Sequence, residues 1–177
     1  MIRRFRHSLA STAAEVSLLV AAVRSTSPRE ALTSEVIPLF SACKFLERNA
    51  VRSLGRRKQA GTAPMWLRGV EVEIEREPFG VVLVIAPGNF PLFLAGVQVL
   101  QALVAGNAVL WKPAPGTTEV VERMDSLLIT AGFPPGLVQV LSEENEGVET
   151  AIDAGVDKVF VTGSLNTGRE VQKLVAA

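Results

Sequence analysis

The most apolar stretch of the chain runs from Val81 to Lys112, VVLVIAPGNFPLFLAGVQVLQALVAGNAVLWK, and its pattern predicts strand, turn, buried helix and strand. Val81 to Ala86 form a near-continuous aliphatic run, which suits a strand buried on both faces as in a parallel sheet. Pro87 and Gly88 stop it. Phe90 to Ala105 is apolar on almost every face, relieved by Gln98 and Gln101, and Gly106 with Asn107 ends it as helix C-termini often end. Ala108 to Trp111 is the returning strand. Strand, crossover helix and strand within about 30 residues make a βαβ unit. In open parallel sheets ligands sit outside the carboxyl ends of such strands, which draws attention to Ala86–Pro91 and Lys112–Gly116.

The same reading covers the flanks. Leu9, Ala13, Val16, Val20 and Val23 recur at spacings of four and three, predicting an amphipathic helix over residues 7–24. A second helical segment spans about 29–54, with Val36, Phe40, Cys43, Leu46 and Val51 on one side and Pro38 starting or kinking part of it. Residues 55–63 read as a basic linker. From Leu67 to Arg76 the period changes to strict alternation, Val70, Val72 and Ile74 against Glu71, Glu73 and Glu75, which predicts a half-exposed strand at an edge or in an arm. Thr117 to Ala131 returns to the helical period, with Thr117 at the N-cap. Strands at 137–141 and 158–162 and helices at 145–154 and from Ser164 onward complete the pattern. Strands alternating with helices predict an α/β fold, a parallel, doubly wound sheet with helices on both faces, preceded by N-terminal helices and a β arm. The expected division is 1–66 helical, 67–80 arm, and 81–177 sheet domain.

Composition narrows the function classes. The 177 residues are 48% hydrophobic and 20% charged, with 18 basic and 18 acidic side chains, so no net field draws the chain to nucleic acid or an anionic membrane. Clusters at Arg3, Arg4, Arg6 and at Arg56, Arg57, Lys58, and an acidic patch at Glu143, Glu144, Glu146, read as solvated surface. One cysteine excludes an intramolecular disulfide framework, and with one histidine it offers no metal cluster. A reducing, cytoplasmic setting is expected. Glu15 before a very short apolar core speaks against a leader at the N-terminus. Pro87, Gly88, Pro91 and the Gly106–Asn107 pair cut the apolar stretch into pieces shorter than the roughly 18 residues a membrane span needs.

Few residues suggest chemistry in isolation. Thr162 to Arg169, TGSLNTGR, joins a strand to a helix, where glycines let backbone N–H groups approach a phosphate. Gly163 and Gly168 have the separation of a Walker A loop, but Arg169 and Glu170 follow in place of Lys and Ser or Thr, so a nucleotide hydrolase is disfavoured. Lys112 ends a buried strand before Pro113. It is either a solvated lysine or a donor to a phosphate or to ribose hydroxyls. Asn89 is either a turn residue or an amide donor to a developing oxyanion. Cys43, among apolar neighbours, is assigned to packing and His7 to the surface.

Taken together, four segments in order resemble the aldehyde dehydrogenase superfamily: EPFGVVLVIAPGNFPL, AGNAVLWKPA, AGFPPGLVQVL and DKVFVTGSLNTGR. The resemblance covers about Glu35 to Ala177. It implies a Rossmann-like fold and an oxidoreductase that uses NAD or NADP to oxidise a small-molecule aldehyde to an acid, or in some branches to an acyl thioester. Asn89 matches the catalytic asparagine whose amide stabilises the thiohemiacetal oxyanion. Lys112 matches the lysine contacting the adenosine ribose, Gly163 and Ser164 the pyrophosphate loop, and Ala86, Pro87 and Gly136 the lining of the dinucleotide groove, with Gly168 also counted among the cofactor-binding residues. A homo-oligomer is expected of the full-length protein.

The departures also carry expectations. Gly88 stands where the family has a tryptophan, which opens the wall beside Asn89. Pro115 stands where the family often has a ribose-binding glutamate, which leaves the choice between NAD and NADP open. The family's nucleophilic cysteine and its glutamate lie downstream of the matched segments, and Cys43 cannot stand in for that cysteine. The chain is therefore expected to be an N-terminal part, inactive alone. The alternative is a non-catalytic dinucleotide-binding or interaction module of the same fold.

Overall fold

The computed structural model describes residues 1–59, 64, 66 and 70–176. Helices α1 (Ile2–Ser11) and α2 (Ala13–Arg24) replace the single helix expected over 7–24. The break is at Thr12, whose hydroxyl donates to the Ser8 carbonyl (2.9 Å). The basic run before residue 7 conceals the start of α1, but Phe5 and Leu9 within it are fully buried. Arg6 pairs with Glu47 and lies 5.0 Å from the centroid of the Phe40 ring, so part of the N-terminal cluster is engaged.

Ser27 caps the short α3 (Pro28–Ala31), and a π-turn at Leu32–Val36 leads into α4 (Ile37–Leu54). Pro38 gives the reason. Its ring crowds the carbonyl four residues back and it has no N–H to donate, so the chain widens to an i→i−5 bond from Ile37 to the Leu32 carbonyl. Leu39, Cys43 and Leu46 are buried on the inner face of α4, whereas Val51, expected there, is 89% exposed.

The expected linker begins with a strand, β1 (Arg57–Gln59), antiparallel to β2 (Val72–Ile74). The two basic residues flanking Arg57 face the acids of the alternating segment. Arg56 pairs with Glu73 (3.3 Å) and Glu75 (2.9 Å), and Lys58 with Glu71 (2.6 Å). Residues 60–63 of that linker and 67–69 of the expected arm lie outside the described residues.

The main sheet is parallel, in the order β5 (Val138–Val140), β4 (Ala108–Lys112), β3 (Val81–Ile85), β6 (Lys158–Val161). Helices α5 (Phe93–Val104) and α6 (Thr118–Thr130) cover one face, and α7 (Glu146–Asp153) and α8 (Leu165–Val175) the other. The continuous aliphatic run of β3 explains this burial. Val82 and Val84 join the core with α5 and α6, while Leu83 and Ile85 join the core with α7 and α8. The N-terminal helices share the first core through Leu9, Val16, Val20 and Leu39. Among the described residues no helix is long and apolar enough to cross a membrane.

Candidate functional site

Chain direction through the sheet reverses at β3: successive strands step to β4 and β5, and then β6 returns to the other side of β3. Such a reversal opens a crevice outside the carboxyl ends of the strands. Ala86 and Pro87 leave β3 there, Lys112 ends β4, and Gly163 with Ser164 follow β6. The register pairs Ile85 with both Lys112 and Val161, so these ends are level with one another. The Ala86 amide donates to the Lys112 carbonyl (3.0 Å), which ties two of the candidate residues through backbone.

Lys112 is the most informative of them. It is 6% exposed, yet among the described residues its ammonium has no hydrogen-bond or ion-pair partner, and Glu143 and Glu144 act on it only through space. Burial lowers its pKa, with those two carboxylates opposing in part. Its side chain borders a cleft of about 290 Å³ between α7 and α8, walled also by Ile85, Val148, Glu149, Thr167 and Val171. A cation with free donors on a buried stem, beside a cleft of mixed apolar and polar walls, suits a flat ligand that carries hydroxyls or phosphate.

Gly163 and Ser164 sit at the head of α8. Ser164 caps that helix, its hydroxyl accepting from the Thr167 amide (3.1 Å), so its side chain is spent locally while its backbone lies at a helix N-terminus. Gln98 on α5, which the sequence showed only as a polar interruption, donates to the Thr162 hydroxyl (2.8 Å) and fixes the approach to Gly163.

Gly168 lies within the helix that the pattern opens near Ser164, as the fourth residue of α8, its amide donating to the Ser164 carbonyl (3.0 Å). One expectation is corrected. Gly136 precedes β5 beside the start of β4, where the Val109 amide bonds the Leu137 carbonyl (2.9 Å). That is the opposite end of the sheet from Lys112. Its φ of +82° accounts for the glycine as a turn residue.

Asn89 is exposed in the turn after β3, on the same side as Lys112. A buried network escaped the sequence reading and holds this turn. Glu35, fully buried at the π-turn, accepts from the amides of Leu92 (2.8 Å) and Phe93 (3.1 Å) at the head of α5. Its other oxygen accepts from Arg24 (3.1 Å), whose guanidinium stacks 4.5 Å from the centroid of Phe90. Desolvation raises the pKa of Glu35, opposed by the two amides and by Arg24. Cys43 is fully buried, and desolvation pushes its thiol up to about 12. It offers no thiolate at neutral pH.

The family model described as "Aldehyde dehydrogenase family" matches residues 1–177. A 4,4'-diapolycopene aldehyde oxidase from Methylomonas sp. is 40% identical over 148 residues, 83% of this chain and 28% of its own length. The chain thus spans less than a third of that relative. An indole-3-acetaldehyde dehydrogenase variant from P. syringae, solved in complex with NAD+ and IAA, superposes with a TM-score of 0.84 at 28% identity, covering 99% of this chain and 34% of that one. An NADP-dependent glyceraldehyde-3-phosphate dehydrogenase from Bacillus halodurans, solved with NADP, gives 0.85 at 26% identity, covering 97% and 36%.

Proposed function

Because the chain belongs to the aldehyde dehydrogenase family, we propose that its sheet end binds NAD or NADP as part of an oxidoreductase that converts an aldehyde to an acid. The observation that carries this reading is Lys112, whose stem is buried and whose ammonium has free donors beside the α7/α8 cleft. The residues present fit the cofactor. The cleft takes the adenine, Lys112 the adenosine ribose, and Gly163 with the first amides of α8 the pyrophosphate, with Ala86 and Pro87 as the floor. When bound, the nicotinamide accepts the hydride.

In this reading Asn89 supplies its amide to the developing oxyanion, and the Glu35–Arg24 network supports the turn that carries it. The covalent step needs a thiolate, and Cys43 does not supply it. We therefore assign these 177 residues cofactor binding and part of the oxyanion site, with the nucleophile in residues that the longer relatives possess. A reducing, cytoplasmic setting suits a protein whose one thiol is free and buried. The exposed apolar residues of the arm, Val70 and Val72, favour a homo-oligomer in which a second copy covers them.

Calorimetric titration of the purified chain with NAD+ and NADP+ tests the proposal. Binding of at least one at millimolar concentration or below, weakened by Lys112→Met, is expected. A folded chain that binds neither would favour the alternative, a non-catalytic interaction module of the same fold.

A further inference from the structure

Between Lys112 and the first turn of α6 the chain makes one tight turn, Pro113–Gly116, closed by the amide and hydroxyl of Thr117, which both donate to the Ala114 carbonyl (3.0 and 2.8 Å). Thr117 holds the expected N-cap position, but its hydroxyl is turned back into this loop and leaves the amides of α6 uncapped by it. A helix N-terminus next to a lysine is an arrangement that receives phosphate.

Here an anion already occupies it. Glu143, from the loop after β5, accepts from the amides of Gly116 (2.8 Å) and Thr118 (3.1 Å) and from the Thr118 hydroxyl. These bonds, the Thr118 hydroxyl foremost, hold the Glu143 carboxyl below its ordinary pKa, so it is charged at neutral pH. Glu144 adds a second negative charge that reaches Lys112. Asn145, the next residue, lines the same cleft as Lys112, so the loop that carries Glu143 and Glu144 leads into that cleft.

We propose that Glu143 makes this site select a dinucleotide whose adenosine ribose carries a free 2'-hydroxyl, NAD, against its 2'-phosphorylated counterpart NADP, because its carboxylate fills the anion position at the head of α6 beside Lys112. The inference rests on the reading of Lys112 as the residue that meets the adenosine ribose. A ribose hydroxyl can share Lys112 with a carboxylate. A phosphate would face Glu143 and Glu144 and find the amides of Gly116 and Thr118 taken. Pro115, which left the cofactor choice open in the sequence, is thus compensated from another loop.

The test is calorimetry of the 177-residue chain with NAD+ and NADP+, for the wild type, Glu143→Gln and Glu144→Gln, with far-UV circular dichroism as the folding control. The wild type is expected to prefer NAD+ by about tenfold or more, and Glu143→Gln to narrow the ratio by about five- to tenfold, chiefly through tighter NADP+ binding. Glu144→Gln, which leaves the helix cap intact, should narrow it less. The wild-type preference should also shrink as salt rises, a reading that stands even if Glu143→Gln fails to fold. Equal binding of both nucleotides, a preference for NADP+, a ratio unmoved in folded Glu143→Gln, or a salt-insensitive ratio would overturn the inference. A wild type that binds neither nucleotide overturns the cofactor reading beneath it, an outcome distinct from any change in ratio.

Discussion

The carboxylate of Glu35 accepts a 2.8 Å hydrogen bond from the backbone amide of Leu92, 57 positions along the chain, and so joins the N-terminal helices to the head of α5. A second oxygen holds Arg24, itself stacked on Phe90. Truncation to alanine would leave the amides of Leu92 and Phe93 without their acceptor and take one partner from Arg24, which keeps Ser34. Glu35→Ala is expected to cost about 3–5 kcal/mol, and Glu35→Gln, which keeps an acceptor for the amides, about 1–2 kcal/mol. Urea denaturation measures both. A loss below 1 kcal/mol for the alanine variant would remove Glu35 from the support of the Asn89 turn.

The same residue gives a pH dependence of known sign. Burial, the largest influence, raises the Glu35 pKa in the folded state, so between the unfolded value and that raised value the folded chain holds more protons than the unfolded chain. Stability from this group is therefore full at low pH and is lost as pH rises through the folded pKa. Glu47 and Glu143 shift the other way, but both are present in wild type and variant alike. The difference in unfolding free energy, wild type minus Glu35→Gln, should fall as pH rises from acid toward neutral. A flat or rising difference would show that Arg24 and the amides outweigh desolvation.

The parts of the fold that rest on local pattern were open to reading from the chain, and those that rest on distant partners were not. Val81–Ile85 and Ala108–Lys112 fall where aliphatic runs and glycine stops put them, because a strand buried on both faces needs apolar side chains at every position. Glu35 shows no such mark. In a helix of mixed polarity a glutamate reads as solvent-facing, and its burial depends on amides supplied by another segment. Strand β1 was hidden for a similar reason, since a three-residue basic stretch becomes a strand only against the acids of β2. Gly136 was misplaced although the chain order held the answer. In a parallel sheet the loop before a strand lies at the end opposite the loop after it.

Cys43 provides a probe of the first core. With its thiol pushed up to about 12 and no exposed surface, modification requires opening of the packing around α4. In native buffer, reaction with an aromatic disulfide reagent should be slower than for a free thiol by orders of magnitude and should accelerate with urea in step with unfolding. Rapid stoichiometric labelling of the folded chain would show that this part of the core opens locally. Cys43→Ser should leave nucleotide binding unchanged, since the thiol lies in a core away from Lys112.

Lys112 should show a trade between stability and binding. Its side chain is mostly buried, its ammonium has no hydrogen-bond partner among the described residues, and desolvation lowers its pKa, so the fold opposes the charge. Because the folded pKa lies below the unfolded one, wild-type stability should climb as pH rises from the folded value toward the unfolded value. Lys112→Met keeps most of the side-chain volume and removes the charge. The variant should be at least as stable as the wild type at neutral pH, without that alkaline climb, yet bind its nucleotide about tenfold or more weakly, since hydrogen bonds to a charged donor are lost. Thermal melts across pH and calorimetry read the two effects separately. A variant destabilised by more than 1 kcal/mol would mean that the ammonium is satisfied within the fold, and unchanged affinity would take Lys112 out of the binding site. Only a residue kept for its ligand should lose binding at no cost in stability.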